Sequence, residues 1–207
     1  MGSRYTIGWF LAVVLLVPFS LYGLVSWYEN RYQPLPVLGK PGHKIENFTL
    51  QNQSNNAVSA ADWKGKIVVA NYFFTHCTSI CPKMIYQLKR VQVYAAIPNL
   101  AIASFTVDPE RDSTSRLQEY AEKFDIRGNW HLLSGNKKEL YRLARNSFMI
   151  TATDGDGGPD DFIHSEKLVL IDTQGRIRGY YTGTDETDVT RLINDLQKLA
   201  AKERDTP

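Results

Sequence analysis

Cys77 and Cys81 are the only cysteines of this 207-residue chain. Three residues separate them within Asn71-Tyr-Phe-Phe-Thr-His-Cys-Thr-Ser-Ile-Cys-Pro-Lys-Met84. Two thiols so spaced can close a disulfide or hold a soft metal between them, and their types alone leave both chemistries open. The apolar run from Ile67 to Phe74 predicts a buried strand, and Pro82 to Ala96 predicts a helix. Cys77 therefore falls at a strand-to-helix turn, where the positive end of the helix favours a thiolate over a thiol.

Other side chains with chemical potential have simpler readings. His76 adjoins Cys77, but as its immediate neighbour it is expected to point elsewhere. His43 and His131 have no partner motif, whereas His164 and Ser165 stand just before a strand. In Asp108-Pro-Glu-Arg-Asp112, Pro109 sets a turn, Asp112 or Ser113 caps the next helix, and Arg111 pairs with a nearby acid. Met84, one turn beyond Cys81, reads as core rather than as a thioether ligand. Tyr72, Phe73 and Phe74 also read as core. The Asp-Gly-Asp-Gly-Gly-Pro-Asp-Asp run from Asp154 to Asp161 invites a calcium loop. Its register fails, since the sixth position is Pro159 and the twelfth is Ser165, so a polar loop is expected.

The elements that must position these groups follow from the chain order. A formal charge of +2 and the absence of a basic run interleaved with aromatics exclude nucleic acid as a partner. Ile7 to Trp27 carries no charged residue over 21 positions, enough at about 1.5 Å per residue to span a hydrocarbon core of roughly 30 Å. Tyr5, Trp9, Tyr22, Trp27 and Tyr28 lie near its ends, where amphipathic aromatics anchor at the interfaces. Residues 1–28 are thus expected to be a single membrane helix of a bacterial inner membrane, with the C-terminal domain on the periplasmic side. A cleaved signal peptide would be shorter and followed by a small-residue cleavage site. Residues 29–43 contain three prolines between Gln33 and Pro41 and read as a tether, leaving 44–207 as one domain.

Within that domain, Phe48 to Leu50 and Ala57-Val58 suggest a short hairpin. Leu100 to Val107 and His131 to Leu133 suggest further strands, and helices are expected from Ser113 to Phe124 and from Lys137 to Ser147. Lys167 to Asp172 and Ile177 to Thr182 flank a Thr173-Gln-Gly175 turn, and an amphipathic helix runs from Asp188 to Lys202. Strands alternating with helices, ending in hairpin then helix, predict an α/β, thioredoxin-like domain with mainly parallel central strands.

Cys77-Thr-Ser-Ile-Cys81-Pro82, Val107-Asp-Pro-Glu-Arg-Asp112 and His164-Ser165, in this order on this pattern, resemble the Sco (SCO/SenC) family of copper-binding cytochrome c oxidase assembly proteins. The likeness covers about residues 40 to 200. It implies that Cys77, Cys81 and His164 ligate a copper ion, Cu(I) or Cu(II). The implied task is delivery of copper to, or reductive preparation of, the oxidase subunit carrying the dinuclear copper site. Thr78-Ser79 replaces the Pro-Asp common in the family between the cysteines, which changes the local charge. Donor chemistry agrees: thiolates select Cu(I), imidazole serves either copper state, and the three donors suit copper better than calcium or magnesium. Zinc would also bind such donors, but a structural zinc site needs a fourth protein ligand that the sequence does not supply.

Three alternatives are weighed against this reading. A metal-free thiol-disulfide reductase would use Cys77 and Cys81 as a redox pair on the oxidase copper-site cysteines, although the spacing is one residue longer than the usual Cys-x-x-Cys. No proline directly precedes the Leu168 strand, where thioredoxins place theirs. A peroxiredoxin would need its threonine three residues before the cysteine, and Thr75 is two before Cys77. A purely structural disulfide closing so short a loop would remove little unfolded-state entropy.

Overall fold

The computed structural model describes residues 3–32, 34–93, 97, 99–150 and 165–204. His164 and the Asp154 to Asp161 loop lie outside the described residues, as do Gln33 and residues 94–96 of the expected second helix. The chain divides into two units, 1–34 and 35–207.

In the first unit a single helix, α1, spans Ser3–Tyr32 with Pro18 inside it. Its described side chains are Trp9, residues 13–26 and Tyr28. Leu15, Leu16 and Phe19 are among its exposed apolar residues. Among the described residues no helix is long and apolar enough to cross a membrane.

The second unit is built on a seven-stranded mixed sheet. Its strands are β1 (Thr49–Asn52), β2 (Ala57–Ser59), β3 (Ile67–Phe73), β4 (Leu100–Thr106), β5 (Trp130–Ser134), β6 (Lys167–Ile171) and β7 (Ile177–Thr182). Their spatial order is β2-β1-β5-β4-β3-β6-β7. The two central pairings, β3 with β4 and β4 with β5, are parallel. All the outer pairings are antiparallel, so parallel strands are confined to the middle three. Helices α2 (Ile80–Val93), α3 (Thr114–Lys123), α4 (Lys137–Arg142, continued by a π turn over Leu143–Ser147) and α5 (Glu186–Arg204) complete the unit.

Every residue of β3 is buried. Ile67, Val69 and Phe73 join Met84, Leu88, Leu117 and Leu192 on one face, while Val68, Ala70 and Tyr72 join Phe105, Tyr141 and Phe148 on the other. Cover on both faces explains why β3 reads as a continuous apolar run rather than an alternation. Met84 is fully buried, as expected of a core residue. Ser113 caps α3 by accepting from the Arg116 amide at 3.3 Å.

Two expectations are corrected. α2 begins at Ile80 rather than Pro82, which places the proline in the first turn, where its missing N–H leaves no bond unmade. The expected tether is in part docked: Leu38 donates its amide to the Ile177 carbonyl at 2.9 Å. Arg178, 6 % exposed, donates to the carbonyls of Leu35 and Pro36 and to the Asp172 carboxylate. A buried guanidinium needs acceptors for its donors, and carbonyls in a proline-rich segment remain available for that.

Candidate metal centre

The two thiols sit where the C-terminal end of β3 turns into α2, at the carboxyl edge of the parallel strands, where α/β sheets place their ligand sites. Cys77 is in the turn and Cys81 is the second residue of the helix. Both are buried and unbridged. The Cys77 sulfur accepts the Cys81 amide at 3.3 Å, which satisfies one of the otherwise unpartnered N–H groups of the first helical turn. The Cys77 amide in turn donates to the Phe74 carbonyl at 3.2 Å.

These contacts divide the acidity of the pair unequally. Burial pushes the Cys77 thiol up, but the donors of Cys81 and Ser79 aimed at its sulfur outweigh that, and its pKa lies below the ordinary 9.0. Burial pushes Cys81 up to about 12, helped by the bond its thiol makes to Cys77 and opposed by the Phe74 amide. Cys77 is therefore the more acidic of the two thiols and, once ionised, the electron-rich sulfur, while Cys81 keeps its proton. Tyr120 of α3 lies in the same cluster as the two thiols, its ring tilted against that of Phe73 with centroids 5.4 Å apart. Burial first, then the neighbouring thiols, raise its phenol.

The described histidines have structural roles or stand at the surface. His43 contacts the Ser147 carbonyl through Nε2 at 2.8 Å, and His131 contacts Asn52 through Nδ1 at 3.3 Å. Burial lowers the pKa of His131. His76 is exposed and meets Thr75 Oγ1 through Nδ1 at 3.2 Å. Among the described residues no cluster of three or more His, Cys, Asp or Glu side chains could hold a metal ion. The structure thus brings Cys77 and Cys81 together, while His164 is outside the described residues.

One residue of the site was read differently from sequence. Of the two expected caps, Ser113 takes the role, and Asp112 is instead fully buried. Its carboxylate accepts from Thr75 Oγ1 and Thr106 Oγ1, each at 2.5 Å, and from the Thr75 amide at 3.2 Å. Arg111 does pair with an acid, Asp108, at 3.2 Å. The Val107-Asp-Pro-Glu-Arg-Asp112 run carried the signal, but only the sheet register reveals what its last residue holds.

The order of elements and the dithiol at the end of β3 define a thioredoxin-like domain with a Cys-x-x-x-Cys site. The chain belongs to the SCO1/SenC family, whose model matches residues 38–201. The SCO1 protein homolog of Bacillus subtilis is 31 % identical over 162 residues, 76 % of this chain and 83 % of that protein. The mitochondrial SCO2 homolog of Mus musculus is 26 % identical over 141 residues, and the match spans 54 % of its length. Among solved structures, BsSco is 29 % identical with a TM-score of 0.67, covering 81 % of this chain and 98 % of that one. It is described as carrying a disulfide switch and as a member of the Sco family of cytochrome c oxidase assembly proteins. The fold is also shared with copper-bound ScoI of Bradyrhizobium japonicum, at TM-score 0.55 and 24 % identity over 72 % of this chain and 98 % of that one.

Proposed function

We propose that this protein takes up one copper ion through Cys77, Cys81 and His164 and serves assembly of the dinuclear copper centre of cytochrome c oxidase. The observation that carries this reading is the buried, unbridged dithiol at the start of α2, in a chain of the SCO1/SenC family. Two adjacent sulfurs form a soft donor pair that prefers Cu(I), and an imidazole completes a set competent for either copper state. His43 and His131 are engaged elsewhere in the fold, and the family resemblance points to His164, rather than to the exposed His76 beside Cys77, as the third donor. Copper is the cargo, and the recipient is the oxidase subunit that carries the dinuclear site. The uncharged stretch from Ile7 to Trp27 and the exposed apolar side chains of α1 support a membrane anchor, with the domain on the periplasmic side of a bacterial inner membrane.

The test is copper content after equilibration and desalting of the 35–207 fragment. Reduced protein is expected to retain about one copper and disulfide-oxidised protein essentially none, because the bond removes both thiolate donors at once. His164→Ala should weaken retention while leaving the dithiol oxidisable. Equal copper in the two redox states would overturn the assignment of the cysteines as donors.

The unequal acidity of the thiols favours a second reading, a metal-free reductase of the oxidase copper-site cysteines. In that reaction the Cys77 thiolate attacks a partner disulfide and releases one partner thiolate. Cys81, on losing its proton, then displaces the second, so the partner gains two electrons and Cys77–Cys81 becomes the disulfide. That exchange needs no imidazole. Oxidase maturation that survives His164→Ala in low copper but not Cys77→Ser would favour the reductase.

A further inference from the structure

Asp112 is 37 residues from Thr75 in sequence, yet its buried carboxylate takes both the hydroxyl and the amide of that residue. The parallel register explains the meeting. Phe73 lies beside Thr106 at the carboxyl ends of β3 and β4, so the residues leaving the two strands are delivered to the same place. Thr106 supplies a further donor to the carboxylate, and the Asp112 carbonyl accepts from Ser134 Oγ at 3.1 Å, which ties the residue to β5 as well. Asp112 is thereby fixed to two strands of the rigid sheet.

The segment it grips is the one that leads to both thiols. Phe74, immediately before Thr75, offers its carbonyl to the Cys77 amide at 3.2 Å, and the Cys77 sulfur in turn accepts the Cys81 amide at 3.3 Å. A rotation of the peptide linking Phe74 and Thr75 would move the carbonyl that holds Cys77 in the turn. The Thr75 amide belongs to that same peptide, and Asp112 holds it. We propose that Asp112 is a positioning residue for the dithiol: through Thr75 it locks the Phe74–Thr75 peptide, and that peptide sets the placement of Cys77 against Cys81. The inference rests on the proposed function for its biological purpose. Its test uses the metal-free dithiol alone, so failure of copper binding and failure of the brace are read separately.

Thr75 and Thr106 provide matched perturbations, since each donates a 2.5 Å hydroxyl bond to the same carboxylate but only Thr75 continues to the thiols. In the 35–207 fragment without metal, Thr75→Val is expected to change the Cys77–Cys81 disulfide equilibrium with glutathione by about tenfold, the scale of one charge-assisted hydrogen bond. The rate of Cys77 alkylation should move with it. Thr75→Ser, which keeps the hydroxyl, should restore both values, and Thr106→Val should leave both within about twofold while lowering thermal stability. Asp112→Asn, which keeps the volume, should match Thr75→Val. If it does not fold, the threonine set still decides. A wild-type equilibrium in Thr75→Val, an equal shift in Thr106→Val, or no restoration by Thr75→Ser would overturn the proposal.

Discussion

Selective alkylation offers a direct test of the thiol asymmetry, because the two sulfurs lie one helical turn apart and differ only in what surrounds them. Raising a thiol from 9.0 to about 12 leaves roughly a thousandfold less thiolate at neutral pH. A more basic thiolate is intrinsically more nucleophilic, and with a Brønsted slope of about 0.45 this recovers about 20-fold. Cys81 should therefore react roughly 50-fold more slowly than an ordinary thiol, before any further slowing by its burial. Cys77, shifted the other way by its donors, retains ordinary or greater thiolate. The assay is iodoacetamide trapping of the reduced, metal-free 35–207 fragment at neutral pH, with peptide mass spectrometry resolving the two sites over time. Cys77 should be consumed at least about 50-fold faster. The rate at Cys77 should level off at a lower pH than for a free cysteine, because its thiolate is already formed there. Equal rates, or faster loss of Cys81, would refute the assignment of Cys77 as the electron-rich sulfur.

Four further outcomes rest on the packing. Arg178→Met should destabilise the domain by about 3 kcal/mol in urea unfolding, since it leaves Asp172, 1 % exposed, without its buried cation. Burial alone would raise the Asp172 carboxyl, but bonds from Arg176 and Arg178 outweigh it and hold the folded pKa below 3.8. Its contribution is then complete above that value and is lost as pH falls through the lower folded one, so the wild type should lose its margin over Asp172→Asn only in acid. A fragment starting at Lys44 should be about 2 kcal/mol less stable than one starting at Leu35, because it strips acceptors from buried Arg178 and removes the Leu38 to Ile177 bond. Met84→Leu should cost less than about 1.5 kcal/mol and leave copper retention unchanged, as fits a core side chain; loss of copper would make Met84 a ligand.

Local pattern determined much of this molecule. The apolar run of β3, the hairpin turn at Thr173 to Gly175, the Ser113 cap and the placement of Cys77 at a strand-to-helix turn are each encoded within a few residues. Short-range sterics and hydrophobic periodicity are sufficient to specify them. The family resemblance was legible for a related reason, since two cysteines, an acidic turn and a histidine before a strand survive as ordered sequence words.

The tertiary structure decided the energetics of the site. Spacing places two thiols near one helix turn, but it does not say which of them keeps the proton. That is set by burial and by donors from Phe74, Ser79 and Cys81, whose directions exist only in the folded turn. Asp112 looks like a cap from its neighbours, because Asp before a helix usually is one. It became the brace of the Cys77 turn because the β3 and β4 register carries Thr75 to it across 37 residues. The proline-containing linker likewise reads as a free tether until β7 places Arg178 against its carbonyls. In each case the deciding force is the need of a buried charged or polar group for partners, and long-range packing chooses those partners.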